Sequence, residues 1–244
     1  MTFSAGAFCA ALALLAASEA SAATNARPSA LKPPFIPTSL YRTKRIQGWT
    51  VRVDPALLAE RRDIGKPALE LLSAKLLDIV RAVPPKALAE LRKTPIWISV
   101  SDGHAPCAEY HPNRQWLVDN GYNPDKAKCV EIGNAANFLN WSKDQPAMVL
   151  HELAHAYHDR VLGFENPEVQ AAYDAALKSG KYQSVLQIRG KMERAYALTD
   201  AKEFFAECSE AFFGTNDFYP FVRAELQQYD PATYDLLARM WGVR

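Results

Sequence analysis

Two short groups of residues in the second half of the chain have the types and spacing of a metal site. The first is His-Glu-Leu-Ala-His at residues 151–155. On a helix, residues four apart lie one turn apart on one face, so the imidazoles of His151 and His155 can reach the same ion. Glu152 points about 100° away from His151, where its carboxylate can reach a water beside the ion. The pattern predicts a zinc site with Glu152 as the general base of a hydrolytic reaction.

Two histidines leave zinc short of ligands, because a catalytic site has three protein ligands and one open position. In one class of site the third ligand is a histidine six residues after His155, but that position is Val161. His158 shares the histidine face but lies two turns from His151, about 10 Å by helix rise. We therefore interpret His158 as a residue that supports a ligand or lines the cleft. The better third ligand is Glu203, which opens the run Glu-Phe-Phe-Ala-Glu.

The spacing of Asp200 and Glu203 is that of a capping box, which predicts a helix beginning near Asp200. On that helix Glu203, Glu207 and Glu210 share one face. The opposite face carries Phe205, Cys208 and Phe212. A zinc ion on the first helix would give Glu203 a partner, and Glu207 would accept the outer N–H of a ligand histidine.

These two groups, with Tyr196-Ala-Leu-Thr between them, resemble the gluzincin metallopeptidases. They look closest to the catalytic domain of anthrax lethal factor and its bacterial relatives. The resemblance implies a zincin-like fold, one zinc ion, Glu203 as the third ligand and Glu152 as the general base. It also implies that Tyr196, seven residues before Glu203, donates to the oxyanion. It covers roughly residues 95–215, and nothing resembles the toxin's receptor-binding or translocation parts.

A β-rich run shortly before the zinc motif is the candidate for binding substrate. In zinc peptidases of this architecture an extended substrate pairs with an edge strand of the sheet. We assign that role to Val130, Glu131, Ile132, Gly133 and Asn134, because strand addition gives affinity without demanding a particular side chain. An ordinary internal strand is the alternative interpretation.

Strands early in the chain and helices late in it must position these groups. Alternation at Trp49, Val51 and Val53 predicts a strand, and residues 96–100 predict another. Helical spacing of apolar residues predicts a helix over 64–82, whereas 102–128 is rich in turns. The pattern predicts an α+β fold, with a small N-terminal sheet and a mostly helical C-terminal half.

The beginning of the chain has the pattern of an export signal. A short apolar run, 7–17, precedes Ala20-Ser21-Ala22, which predicts a signal peptide at 1–22. A retained N-terminal helix is the alternative. The run is too short to remain as a bilayer anchor. We expect a Pro-rich linker or arm at 23–44, one metallopeptidase domain at 45–244, and an exported protein, either secreted or periplasmic.

Composition limits the partners. The 28 Lys and Arg nearly balance the 27 Asp and Glu, which leaves a formal net charge of +1. Such a chain gives no electrostatic reason to bind nucleic acid or an anionic membrane. We expect a monomer that acts on a peptide or protein.

Export would place the cysteines of the mature chain in an oxidising compartment. We expect a disulfide between Cys107 and Cys129, and a buried, inert thiol at Cys208. A structural zinc site is the alternative use of this segment; its ligands would be His104, Cys107, His111 and Cys129.

The leading functional hypothesis is a zinc-dependent peptidase that hydrolyses peptide bonds with a metal-activated water. A non-catalytic binding module with a zincin fold is one alternative, although Glu152, the predicted base, argues against it. A zinc amidase acting on cell-wall peptides is another, because it uses the same chemistry on a different substrate.

Overall fold

The structure, a computed structural model, describes residues 35–243. The predicted signal peptide at 1–22 and residues 23–34 of the predicted arm lie outside the described residues. The described end of that arm is part of the fold, because its last residues belong to a strand, Arg42–Ile46. The strand turns back through Gln47 and Gly48, which both have positive φ, as a two-residue hairpin requires. The folded domain therefore begins before the predicted boundary at residue 45.

Strands and helices alternate along the first half, and helices dominate the second. The strands within residues 35–243 are β1 (Arg42–Ile46), β2 (Trp49–Val53), β3 (Ile96–Ile98), β4 (Ala108–Tyr110), β5 (Val130–Ile132), β6 (Val185–Leu186) and β7 (Met192–Glu193). The helices in the same range are α1 (Arg62–Ala82), α2 (Pro85–Leu91), α3 (Arg114–Asp119), α4 (Ala135–Trp141), α5 (Met148–Tyr157), α6 (Pro167–Ser179), α7 (Ala201–Phe213), α8 (Arg223–Tyr229) and α9 (Pro231–Trp241). The predicted α+β class is confirmed.

The first five strands form one mixed sheet in the order β1-β2-β3-β5-β4. The central pairs, β2–β3 and β3–β5, are parallel, and the outer pairs, β1–β2 and β4–β5, are antiparallel. The strand β5 is thus paired on both sides, and β4 forms the edge beside it.

The assignment of 130–134 as the substrate edge strand is therefore wrong. Val130, Glu131 and Ile132 are internal, because β4 adds to their outer side. Gly133 and Asn134 lie beyond the strand: Gly133 N–H donates to the Cys107 carbonyl, and the Asn134 side chain caps α4. The short strand β4 lies inside the segment that the sequence marks as turns, which is why the sequence did not reveal it.

Each face of β5 has its own task. Val130 and Ile132 face the main core, while Glu131 lies on the opposite face and is fully buried. There Glu131 pairs with Lys126, and its other oxygen lies 2.7 Å from Nε2 of His111. Lys126 also donates to Asp102 over 2.8 Å. Glu131 belongs to a buried charge network that holds the loops against the sheet.

The predicted disulfide is also wrong, since Cys107 and Cys129 are both free thiols. Cys107 is paired with Gly133 at one end of the β4–β5 ladder, and Cys129 is paired with His111 at the other. Four ladder positions separate them, about 13 Å at the rise of a strand. A disulfide needs its Cα atoms within about 7 Å. Within residues 35–243 the same separation rules out the alternative structural zinc site, whose four donors do not come together.

The helix α5 lies at the centre of the domain and packs against α1, β4 and α7. All ten of its residues are buried, so it has no face open to solvent. The predicted cleft-facing side of this helix instead lies against α7. No helix within residues 35–243 combines the length and apolar character that crossing a bilayer requires.

Candidate metal centre

Three side-chain atoms from α5 and α7 converge at one point. The Nε2 atoms of His151 and His155 lie 3.1 Å apart. Glu203 Oε2 lies 3.0 Å from the first nitrogen and 3.4 Å from the second. All three residues are at least nine-tenths buried. The structure thus brings together the three predicted ligands, although they lie about 50 residues apart in the chain.

This arrangement fits zinc. With ligand bonds of 2.0–2.2 Å, the corners of a tetrahedral zinc site lie about 3.3–3.5 Å apart. The observed separations of 3.0, 3.1 and 3.4 Å are close to that range. Two imidazoles and one carboxylate also form a donor set found in catalytic zinc sites, with room for a fourth ligand.

The beginning of α7 explains why Glu203 is available. The Asp200 side chain caps the helix by accepting hydrogen bonds from the backbone N–H groups of Lys202 and Glu203. This confirms the predicted start of the helix. The Glu203 carboxylate does not complete a capping box and points to the two histidines.

The residue that orients His151 differs from the prediction. Glu207 Oε1 lies 3.7 Å from His151 Nδ1, too far for a hydrogen bond. Glu210 Oε1, nearly one turn further along α7, lies 2.6 Å from the same nitrogen. Glu210 therefore accepts the outer N–H of His151 and leaves Nε2 free to bind an ion. The sequence placed Glu210 on the correct face but gave no reason to prefer it.

The charges around His151 shift the pKa of neighbouring groups. Burial alone would lower the pKa of His151, but Glu203 and Glu210 outweigh burial and raise it well above its ordinary value. Burial would raise the pKa of Glu203, but His155 and His151 outweigh that effect and lower it. The pKa of Glu207 is raised well above its ordinary value by burial, and then by Asp217 and Glu210.

Glu152 is held by the edge strand. Its Oε2 accepts a hydrogen bond of 2.7 Å from the backbone N–H of Tyr110 in β4. Glu152 also lines a small cavity with His151. The predicted general base is thus fixed beside the ligand helix by a main-chain contact that the sequence did not reveal.

Tyr196 lines the same cavity as Glu152 and His151. It begins a short 3₁₀ segment, Tyr196–Leu198, that leads into α7. Its ring centre lies 6.4 Å from that of His151. Burial, followed by the charge of Glu203, raises the pKa of the Tyr196 hydroxyl, so it remains a hydrogen-bond donor at neutral pH. The structure places this predicted residue at the site.

His158 has no supporting role at the metal centre. It is fully buried between the rings of Phe164, at 5.2 Å, and Phe205, at 4.9 Å. Among residues 35–243 neither of its ring nitrogens has a hydrogen-bond partner. Burial lowers the pKa of His158 to about 4. The helix changes to a π-helical turn at His158, and this directs the ring into the core instead of towards the ligands.

Comparisons with known proteins add no relative. The chain matches no family model, no curated protein and no solved structure.

Proposed function

We propose that the chain is a zinc-dependent peptidase with a zincin-like fold, in which His151, His155 and Glu203 hold one zinc ion. The observation that carries this proposal is the convergence of those three donor atoms at 3.0–3.4 Å from one another. Zinc in such a site would act as a Lewis acid towards a carbonyl oxygen and would make water more acidic.

The remaining chemistry belongs to the chain's own residues. Glu152 takes the proton of the attacking water and later passes it to the leaving amine, so no proton is lost overall. Its hydrogen bond to Tyr110 N–H keeps the carboxylate in place for both steps. The Tyr196 hydroxyl donates to the oxygen on which negative charge develops.

The edge strand β4 is the better candidate for receiving substrate. Cys107 and His111, which flank it, direct their backbone groups to the β5 side. In an antiparallel pair the direction alternates, so Ala108 and Tyr110 direct theirs to the open edge. Tyr110 N–H reaches Glu152 from that edge. A peptide added along β4 would therefore lie next to the general base.

The test is Glu152→Gln, compared with Glu165→Gln, which changes an exposed glutamate outside the site. The glutamine can still accept from Tyr110 N–H but cannot take a proton. We expect zinc content to stay at one ion per chain and hydrolysis of a peptide library to fall ~10²–10⁴-fold. Glu165→Gln should match the unmodified protein.

Other outcomes separate the alternatives. Full activity of Glu152→Gln would remove the general base from the proposal. Zinc binding without hydrolysis of any peptide by the unmodified protein would favour the binding module. Activity confined to cell-wall peptides would favour the amidase.

A further inference from the structure

A second group of carboxylates lies on the other side of His151. Its members are Glu207 and Glu210 from α7 and Asp217 from the loop that follows, and each is at least nine-tenths buried. Oxygens of Glu207 and Glu210 and a nitrogen of His151 all lie within 4.8 Å of one another. Asp217 lines the same cavity.

One oxygen in this group lacks a partner. Glu207 Oε2 is buried and accepts no hydrogen bond from any residue in 35–243. The cavity lined by Glu207 has about 30 Å³ of space for the centre of a water-sized sphere. A single water needs only about 10–15 Å³ by this measure, so one small ion or one to two waters fit.

The group also lacks cationic side chains. No ion pair within residues 35–243 joins a Lys or Arg to Glu207, Glu210 or Asp217. The nearby Arg189 pairs with Asp144 instead. Burying carboxylates without compensation is expensive, so a cation or protons must balance them. Burial, together with Glu210, raises the pKa of Asp217 to about 7, which shows how poorly the charge is balanced by the chain alone.

The position of Asp217 is fixed by the backbone around it. Its N–H donates to the Asn216 side chain over 2.8 Å, and its carbonyl accepts from Ile188 N–H over 2.8 Å. The three carboxylates thus come from a helix and a tethered loop, which hold them in place before any ligand binds.

We infer that Glu207, Glu210 and Asp217 form a second cation site, distinct from the zinc ligands, for a hard divalent ion of the size of calcium. Carboxylate oxygens are the ligands that such ions prefer. Magnesium is the weaker candidate because it usually keeps several waters, and this cavity is too small for them. The outer oxygens are free for this purpose, since His151 engages only Oε1 of Glu210.

The test measures calcium binding to zinc-loaded Glu152→Gln protein by calorimetry and metal analysis, so hydrolysis does not enter the readout. We expect one calcium ion per chain in addition to zinc. Asp217→Asn and Glu207→Gln should each weaken calcium binding by roughly tenfold or more, because each removes a charged ligand. Asp174→Asn, which changes an exposed aspartate on α6, should bind calcium like its parent.

Three results would overturn the inference. The first is no calcium uptake at concentrations on the order of 10 mM, above the range of weak natural sites. The second is unchanged calcium affinity in both Asp217→Asn and Glu207→Gln, which would place the ion elsewhere. The third is release of zinc by calcium, which would show that the two groups of donors form one site. Failure of the peptidase proposal would leave these measurements interpretable, because they count ions and not products.

Discussion

Glu210 should control zinc affinity more strongly than Glu207, although both lie on the same face of α7. Glu210 Oε1 is 2.6 Å from His151 Nδ1, and Glu207 Oε1 is 3.7 Å away. Only the first distance is a hydrogen bond, and it joins buried groups. This bond holds the proton on Nδ1 and leaves Nε2 free for the ion.

Glu210→Ala should weaken zinc binding ~10–100-fold, the usual effect of removing a group that orients a metal ligand. At about 1.4 kcal/mol for each tenfold change, the loss is about 1.4–2.8 kcal/mol. Glu210→Gln keeps an acceptor without the charge, so its loss should be smaller. Glu207→Ala, the matched control on the same helix, should lose less than about tenfold, because no hydrogen bond to His151 disappears.

Competition with a chromophoric zinc chelator in calcium-free buffer measures all three affinities, and circular dichroism verifies that each variant is folded. In Glu210→Ala the side chain of Glu207 is close enough to take over part of the task. The double variant should therefore lose more than the sum of the single losses. If Glu207→Ala loses more zinc affinity than Glu210→Ala, the assignment of Glu210 is refuted.

Three further outcomes follow from the geometry. Asp200→Ala should lower the free energy of unfolding by about 1 kcal/mol in a denaturant titration, since it removes the cap of α7; no change would mean that the cap is dispensable. His158→Phe should retain zinc and flatten the acid side of the stability curve. The folded pKa of His158, about 4, lies below its unfolded value, so its contribution is fully present above pH ~6.5 and disappears as pH falls towards 4. An acid limb identical to that of the parent would contradict this. Chelating the zinc should lower the melting temperature without abolishing cooperative unfolding, because the α5–α7 contact also rests on ring packing at Phe205 and Trp241. A chelated protein that loses its helical signal would show that the ion is needed for folding.

The features that were predictable from the sequence are those that depend on neighbouring residues. The spacing of His151 and His155 and the cap at Asp200 are local, and the structure has both as predicted. Helical periodicity located α1 within two residues, and alternation located β2.

The features that were missed depend on segments that meet only in the folded chain. The strand β4 has three residues and is stabilised by β5 and not by its own pattern. For the same reason, the distance between Cys107 and Cys129 could not be read from their 22-residue separation, because the ladder places them at opposite ends. Asp217 reaches the cavity only because its loop is bonded to Ile188. The π-helical turn at His158 changes the phase of a helix that the sequence pattern treats as regular.

The ring of His151 divides the buried charge between α5 and α7 into two parts. Its Nε2 faces Glu203 and His155, and its Nδ1 faces Glu210. The spacing of the α7 carboxylates, at positions 203, 207 and 210, lets one helical face supply both sides of a single imidazole. A cation at the zinc site would balance Glu203 directly but would act on Glu207 only through the ring and Glu210. The charge of Glu207 therefore needs its own compensation, which is the physical link between the proposed peptidase site and the proposed second cation site.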